Sequence, residues 1–341
     1  MQKNNIKNIS HELLNKCRKL IGKKFDKNHI EKIESKDNFI KALIKGENFN
    51  IFYNMLSDNI SRIIFKKAVI YRYMLSFYPK AFGANHFGIE ISSSYLKAFE
   101  IIKNSINFIL KYSVVNIYYW IFKRILFLIE RFKYPLEIEV FTAFYIFGLK
   151  QYDIKNIFEV KNSAIVFDIG AWKGDTAYFF SKKCSDNAKI YAFEPDNYAY
   201  DILEKVKNKY KLNNVIIKNI LFSNTKKEID FVSMIKNIPT VKKNAITIDK
   251  FVEENNIEKI DYIKMDVEGE EKNILEGAIK TIKKFKPHLA IAIYHGGKLF
   301  MEDFYDVPIF IKNIINEDYE YYIRTFTPWC GETILFCKPK N

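Results

Sequence analysis

Four residues stand at spacings that suit a nucleoside ligand: Asp168, Gly170 and Gly174 in VFDIGAWKGDTA (166–177), and Glu194 in IYAFEPD (190–196). Residues 164–169 are an apolar run broken by Asp168, the pattern of a parallel strand covered on both faces. Gly170 ends the run, and Gly174 turns the chain into a helix whose first residues, Asp175 and Thr176, are favourable near a helix N-terminus. Ligands of open α/β sheets bind at the carboxyl ends of such strands. The expected ligand contacts are Asp168, Gly170, Ala171, Gly174, Asp175 and Thr176 from the first strand and turn, and Glu194, Pro195 and Asp196 from the end of the second.

The turn speaks against a dinucleotide. In G-x-G-x-x-G the second glycine lets backbone approach a pyrophosphate, but Trp172 stands there and the third glycine is missing. S-adenosylmethionine has no phosphate, and a G-x-x-x-G turn with an acid before it is sufficient. Glu194 would accept hydrogen bonds from two ribose hydroxyls, with Asp196 near the adenine. Gly170 is expected to let backbone approach the cofactor, so Gly170→Val should abolish binding in a protein that still folds. The plainer alternative is a strand-turn-helix with a capping acid.

In methyl transfer the sulfonium is already activated, so an enzyme has to align the acceptor oxygen and remove its proton. A fourth strand, 260–266, places Ile260, Tyr262, Lys264 and Asp266 on one side by its period of two. Asp266 and Glu268 leave that strand at its carboxyl end, and His295 ends a fifth strand, 288–294. Lys264, Asp266, Glu268 and His295 are the catalytic candidates. Either Asp266 and Glu268, with or without His295, hold Mg²⁺ or another hard cation, or His295 is a metal-free base and a carboxylate orients the acceptor. Against both stands the reading that Glu268 and Glu270 complement the dipole of the next helix and His295 caps a loop. Tyr294 and Trp329 would line an acceptor pocket or pack in the core, while His11, His29 and His86 read as solvated.

The elements that must position these residues alternate. A third strand is expected over 214–222, a short β excursion over 228–232 and a helix over 270–284, with an antiparallel edge pair at 319–326 and 333–337. This predicts an α/β, doubly wound, mostly parallel sheet. The order VFDIGAWKGDTA, IYAFEPD, LFSNTKKEIDF, TIDKFV, IDYIKMDVEGEEKNILEGA, KPHLAIAIYH and ETILF resembles the FkbM-type methyltransferases over the last half of the chain, with LSDNISRIIF (56–65) and Tyr71-Arg72 similar to their helical preface. The resemblance implies a class I, Rossmann-like methyltransferase fold, S-adenosyl-L-methionine as cofactor, and O-methylation of a sugar or glycan-type acceptor. Residues 77–135 find no counterpart in it.

The chain of 341 residues, 48% hydrophobic, has room for one such domain at 141–341 after a mainly helical region at 1–140. That region is expected to serve acceptor binding, oligomerisation or membrane-surface contact. The net charge of the whole chain, +14, comes from lysines dispersed among isoleucine and asparagine, which reads as composition bias rather than a basic patch. Asp266-Val-Glu-Gly269 differs from the proline motif that holds a flipped base, so RNA ranks second as acceptor and a non-catalytic adaptor third. Cys17, Cys184, Cys330 and Cys337 show no C-x-x-C spacing, and with no signal-peptide pattern a cytoplasmic setting is expected.

Within the N-terminal region, residues 59–73 carry one apolar helical face, and 77–94 read as a loop. Residues 106–129 lack a charge-free run long enough to span a bilayer. A buried helix is the preferred reading there. The alternative is a helix lying in the membrane interface through Trp120 and flanking bases, as a lipid-linked acceptor would favour.

Overall fold

The computed structural model describes residues 7–22, 24–77, 117–135, 137–233, 239–295, 301–315, 318–328 and 331–340. The expected loop at 77–94, most of the segment before Ile117, and His86, Trp329 and Cys330 lie outside them. The chain forms two compact units: Met1–Ile121 with Ile293–Ile309 and Tyr321–Thr333, and Phe122–Ala292 with Phe310–Glu320 and Ile334–Asn341.

The first unit is built on helices α1 (Ile9–Ile21), α2 (Lys27–Glu34), α3 (Asn38–Lys45), α4 (Glu47–Met55) and α5 (Asn59–Phe77). Asn8, Asp26 and Asp37 cap the first three by accepting from the third amide on. Phe39, Phe49, Phe52 and Phe65 form its aromatic core with Phe304 and Tyr305. Buried charges here are paired: Arg72 with Asp37 at 3.1 Å, and Glu34 with Arg18 and the Tyr73 hydroxyl. At the start of α5, Asp58 pairs with Arg324, and the Ser61 hydroxyl accepts from the Ile323 amide.

The helix α6 (Ile117–Glu130) follows, then the second unit's sheet. Strand β1 (Ile165–Ile169) is flanked in parallel by β2 (Lys189–Phe193) and β7 (Tyr262–Met265). Beyond β2 lies β3 (Val215–Lys218), beyond β7 lies β8 (His288–Ala292), and the order is β3-β2-β1-β7-β8-β10-β9. Strand β10 (Thr333–Pro339) runs antiparallel to β8, with β9 (Tyr319–Thr325) at the edge. Bonds from Phe326 N–H to Glu332 and from Lys340 N–H to Asp318 set this last pair antiparallel, as expected. Four of the five residues of β1 and all of β7 are buried, which is why both read as apolar runs.

Three elements differ from the expectation. The third strand breaks after Lys218, and β4 (Leu221–Phe222) joins a small second sheet with β5 (Lys227–Phe231) and β6 (Val241–Ile246). The helix expected over 270–284 is two: α10 (Glu271–Glu276) and α11 (Ile279–Phe285). A Cβ on Gly277 would lie 2.4 Å from the Ser223 carbonyl, and Asp249, in α9 (Ile248–Glu254), caps α11 by accepting from the Lys280 and Thr281 amides. Third, α6 is not a buried helix. Trp120 is 8% exposed and donates to the Phe326 carbonyl, whereas Phe122, Ile125 and Ile129 stand in solvent.

Candidate functional site

The carboxyl ends of β1, β2 and β7 bring two groups of predicted residues together. The first is centred on Lys264, which lies across from Asp168 in the β1–β7 register. Its ammonium is buried, sits 3.3 Å from an Asp168 oxygen, and donates to the carbonyls of Ile169 and Gly170. Asp168 accepts in addition from the Thr176 hydroxyl at 2.7 Å, which ties β1 to the first turn of α7 (Asp175–Lys183). Burial pulls the Lys264 pKa down, but Asp168, Asp266 and Asp175 outweigh it and keep the amine charged. A lysine held in this way positions the glycine turn. Asp175 is also buried, accepts from the Thr176 amide, and is pushed up to about 7 by burial, with Lys264 opposing.

The second group is centred on Glu194, one residue past β2. Its two oxygens accept from the backbone amides of Trp172 and Asp196, each at 2.8 Å. Trp172 donates from a left-handed conformation, φ 45°, which shapes the turn around the carboxylate. Burial pushes Glu194 up to about 7, against the pull of those two amides. Asp196 has a structural duty of its own: it caps α8 (Asn197–Lys209) by accepting from Ala199 N–H. Ala171 is fully buried and Pro195 half-buried between these turns. Lys243, from β6, donates to Asn197 and Asn219 and adds a positive charge near Glu194 and Asp196 that the sequence pattern had not singled out.

Both glycines have positive φ, 78° at Gly170 and 92° at Gly174. A Cβ on Gly170 would lie 2.0 Å from the carbonyl oxygen of Asp266. The space in question is therefore filled by the chain's own backbone, and the expectation of a well-folded Gly170→Val protein is corrected. Gly174 meets Leu203 of α8 at 2.9 Å in the same test.

Asp266 follows β7 and accepts from the Tyr152 hydroxyl at 3.1 Å. Glu268 is exposed, with φ 58°. The acid that organises this turn is Glu271: fully buried, it accepts from the amides of Val267 and Gly269 at 3.0 and 2.9 Å. Sequence reading passed over it because three glutamates stand in four positions there. Its one signal was a place at the start of a helix, two residues after a glycine. His295 lies three residues past β8 and is buried, with its ring 4.0 Å from that of Tyr294 and its carbonyl accepting from the Met301 amide.

Residues 168–321 match the model of the methyltransferase FkbM domain. Methyltransferase FkbM from Methylobacillus flagellatus KT is similar at 16% identity and a TM-score of 0.56, over 88% of this chain and 62% of that one. The chain thus spans less than two thirds of that structure. A putative rRNA-methylase from Clostridium thermocellum aligns at 16% identity over 57% of this chain and 91% of the other, TM-score 0.38. Aeropyrum pernix fibrillarin, solved with natively bound S-adenosyl-L-methionine, aligns at 14% over 55% and 73%, TM-score 0.37. No curated protein matches the sequence. The fold is that of a class I, Rossmann-like methyltransferase.

Proposed function

We propose that this chain, whose residues 168–321 match the model of the methyltransferase FkbM domain, is an S-adenosylmethionine-dependent O-methyltransferase acting in the cytoplasm on a hydroxyl of a sugar or glycan-type acceptor. The observation that carries the cofactor is Glu194: a buried carboxylate at the end of β2, fixed by two amides. Each of its oxygens keeps a lone pair for a ribose hydroxyl. The donor set fits too, since Asp168, Asp175, Glu194 and Asp266 outnumber Lys264 and suit a cofactor with a sulfonium and an ammonium.

Bound there, the cofactor supplies an electrophilic methyl group. This chain's residues have three tasks. Lys264 and Thr176 hold Asp168 and the glycine turn in place, and Glu194 orients the ribose. Asp266, just past β7, orients the acceptor hydroxyl, and His295 takes its proton. Glu268, exposed on its turn, is not the acid grouped with Asp266: a hard cation would be engaged by Asp266 and the buried Glu271, whose ligand oxygens lie within 4.8 Å of one another. His295→Ala is expected to cut turnover roughly a hundredfold while cofactor still binds, with chelator without effect. Turnover abolished by chelator and restored by Mg²⁺ would transfer the role to a cation on Asp266.

The raised acids predict a pH dependence. With Glu194 and Asp175 both near 7, their neutral forms prevail in mildly acidic solution. Folding stability from these groups is greatest below the ordinary carboxylate range and falls as pH rises through about 7. A cationic cofactor favours the charged forms, so its affinity should rise between about pH 6 and pH 7.5, with release of protons. Calorimetry in two buffers of different ionisation enthalpy reads this directly. Glu194→Gln should flatten the curve, and an unchanged curve would remove Glu194 from the site.

The acceptor is tested by mass spectrometry of glycans from a deletion strain. One sugar lacking a methyl mass is the expected result. Unaltered glycans beside an undermethylated RNA would move the acceptor to nucleic acid.

A further inference from the structure

Helix α6 shows apolar side chains to solvent along its length. Ile121, Phe122, Ile125, Leu128 and Ile129 are all exposed, Ile129 to 73%, and Phe132 in the following 3-10 turn is 84% exposed. At 3.6 residues per turn these positions, together with the exposed Tyr119 and Leu126 beside them, cover roughly 180° of the helix. Trp120 and Phe127 lie on the opposite side and are buried, so the helix is anchored by one face and presents the other. Lys123 and Arg124 fall on either side of the apolar arc, and Arg124 lies over the Phe141 ring at 3.9 Å. An apolar arc bordered by bases on both sides is the pattern of a helix lying in a bilayer interface, where the bases reach the headgroups and the arc sinks among the acyl chains. Fourteen residues are too few to span a bilayer, whose core is about 30 Å thick, and no described helix is long and apolar enough to cross one.

We propose that α6 docks the protein on a membrane surface rich in anionic phospholipid. Charge decides the occupant. A second copy would set the same bases against themselves, whereas anionic headgroups complement them. Trp120, the residue that sequence alone marks for the interface, takes no part, because its indole is spent on the Phe326 carbonyl.

The test is flotation with vesicles of phosphatidylcholine containing phosphatidylglycerol, and with phosphatidylcholine alone, alongside sedimentation velocity. The wild type should float with the mixed vesicles at low salt, at least tenfold less with phosphatidylcholine alone, and detach as salt is raised. Phe122→Ser combined with Ile129→Ser should lose flotation while keeping the wild-type melting curve, since both side chains are exposed. Flotation unaffected by the double substitution would overturn the proposal. So would a wild type that stays off the mixed vesicles, whether monomeric or a dimer that the double variant dissociates.

Discussion

Lys264→Met should destabilise the protein by about 3–5 kcal/mol near neutral pH, the range for breaking a buried ion pair by removing one partner. Methionine keeps most of the side chain's volume, so the loss is electrostatic in origin. It leaves Asp168 and Asp175 buried without their cation and withdraws the bonds to the Ile169 and Gly170 carbonyls. The deficit should shrink in acid, because protonated carboxyls no longer need the amine. Urea unfolding at about pH 8 and about pH 5 measures both effects. A deficit of the same size at the two pH values would show that the lysine acts through packing and not through charge.

Gly170→Ala should cost about 3 kcal/mol or more, from positive φ and overpacking together. The added methyl meets the Asp266 carbonyl at 2.0 Å, so β1 and the turn after β7 must part. Glycine is thus required by the fold before any cofactor arrives. The substitution should lower the melting temperature of the cofactor-free protein, and a melting curve like that of the wild type would show that the turn yields without strain.

Strands β1, β7 and β8 were legible because burial on both faces leaves mostly apolar runs, β2 because its buried side is apolar, and the site's ends because glycines and acids interrupt those runs. Strand β6 was not, since Lys242, Lys243 and Asn244 sit on a half-exposed ribbon whose partner is β5. The break between α10 and α11 was hidden for another reason: it is imposed by Ser223 and Asp249, distant in sequence. Asp168, Lys264 and Glu194 could be read from strand spacing, but Glu271 could not be told from Glu268 and Glu270 until the turn chose which one to bury. Periodicity likewise showed that α6 has apolar faces and not which of them the protein covers.

Glu194, one residue past β2, is proposed to receive the ribose of S-adenosylmethionine. Titration calorimetry of the cofactor into wild type and Glu194→Ala tests it most directly. Loss of two hydrogen bonds to a charged group, at about 1.5–3 kcal/mol each, predicts an affinity at least about a hundredfold lower in the variant. Equal affinity in the two proteins would contradict the claim.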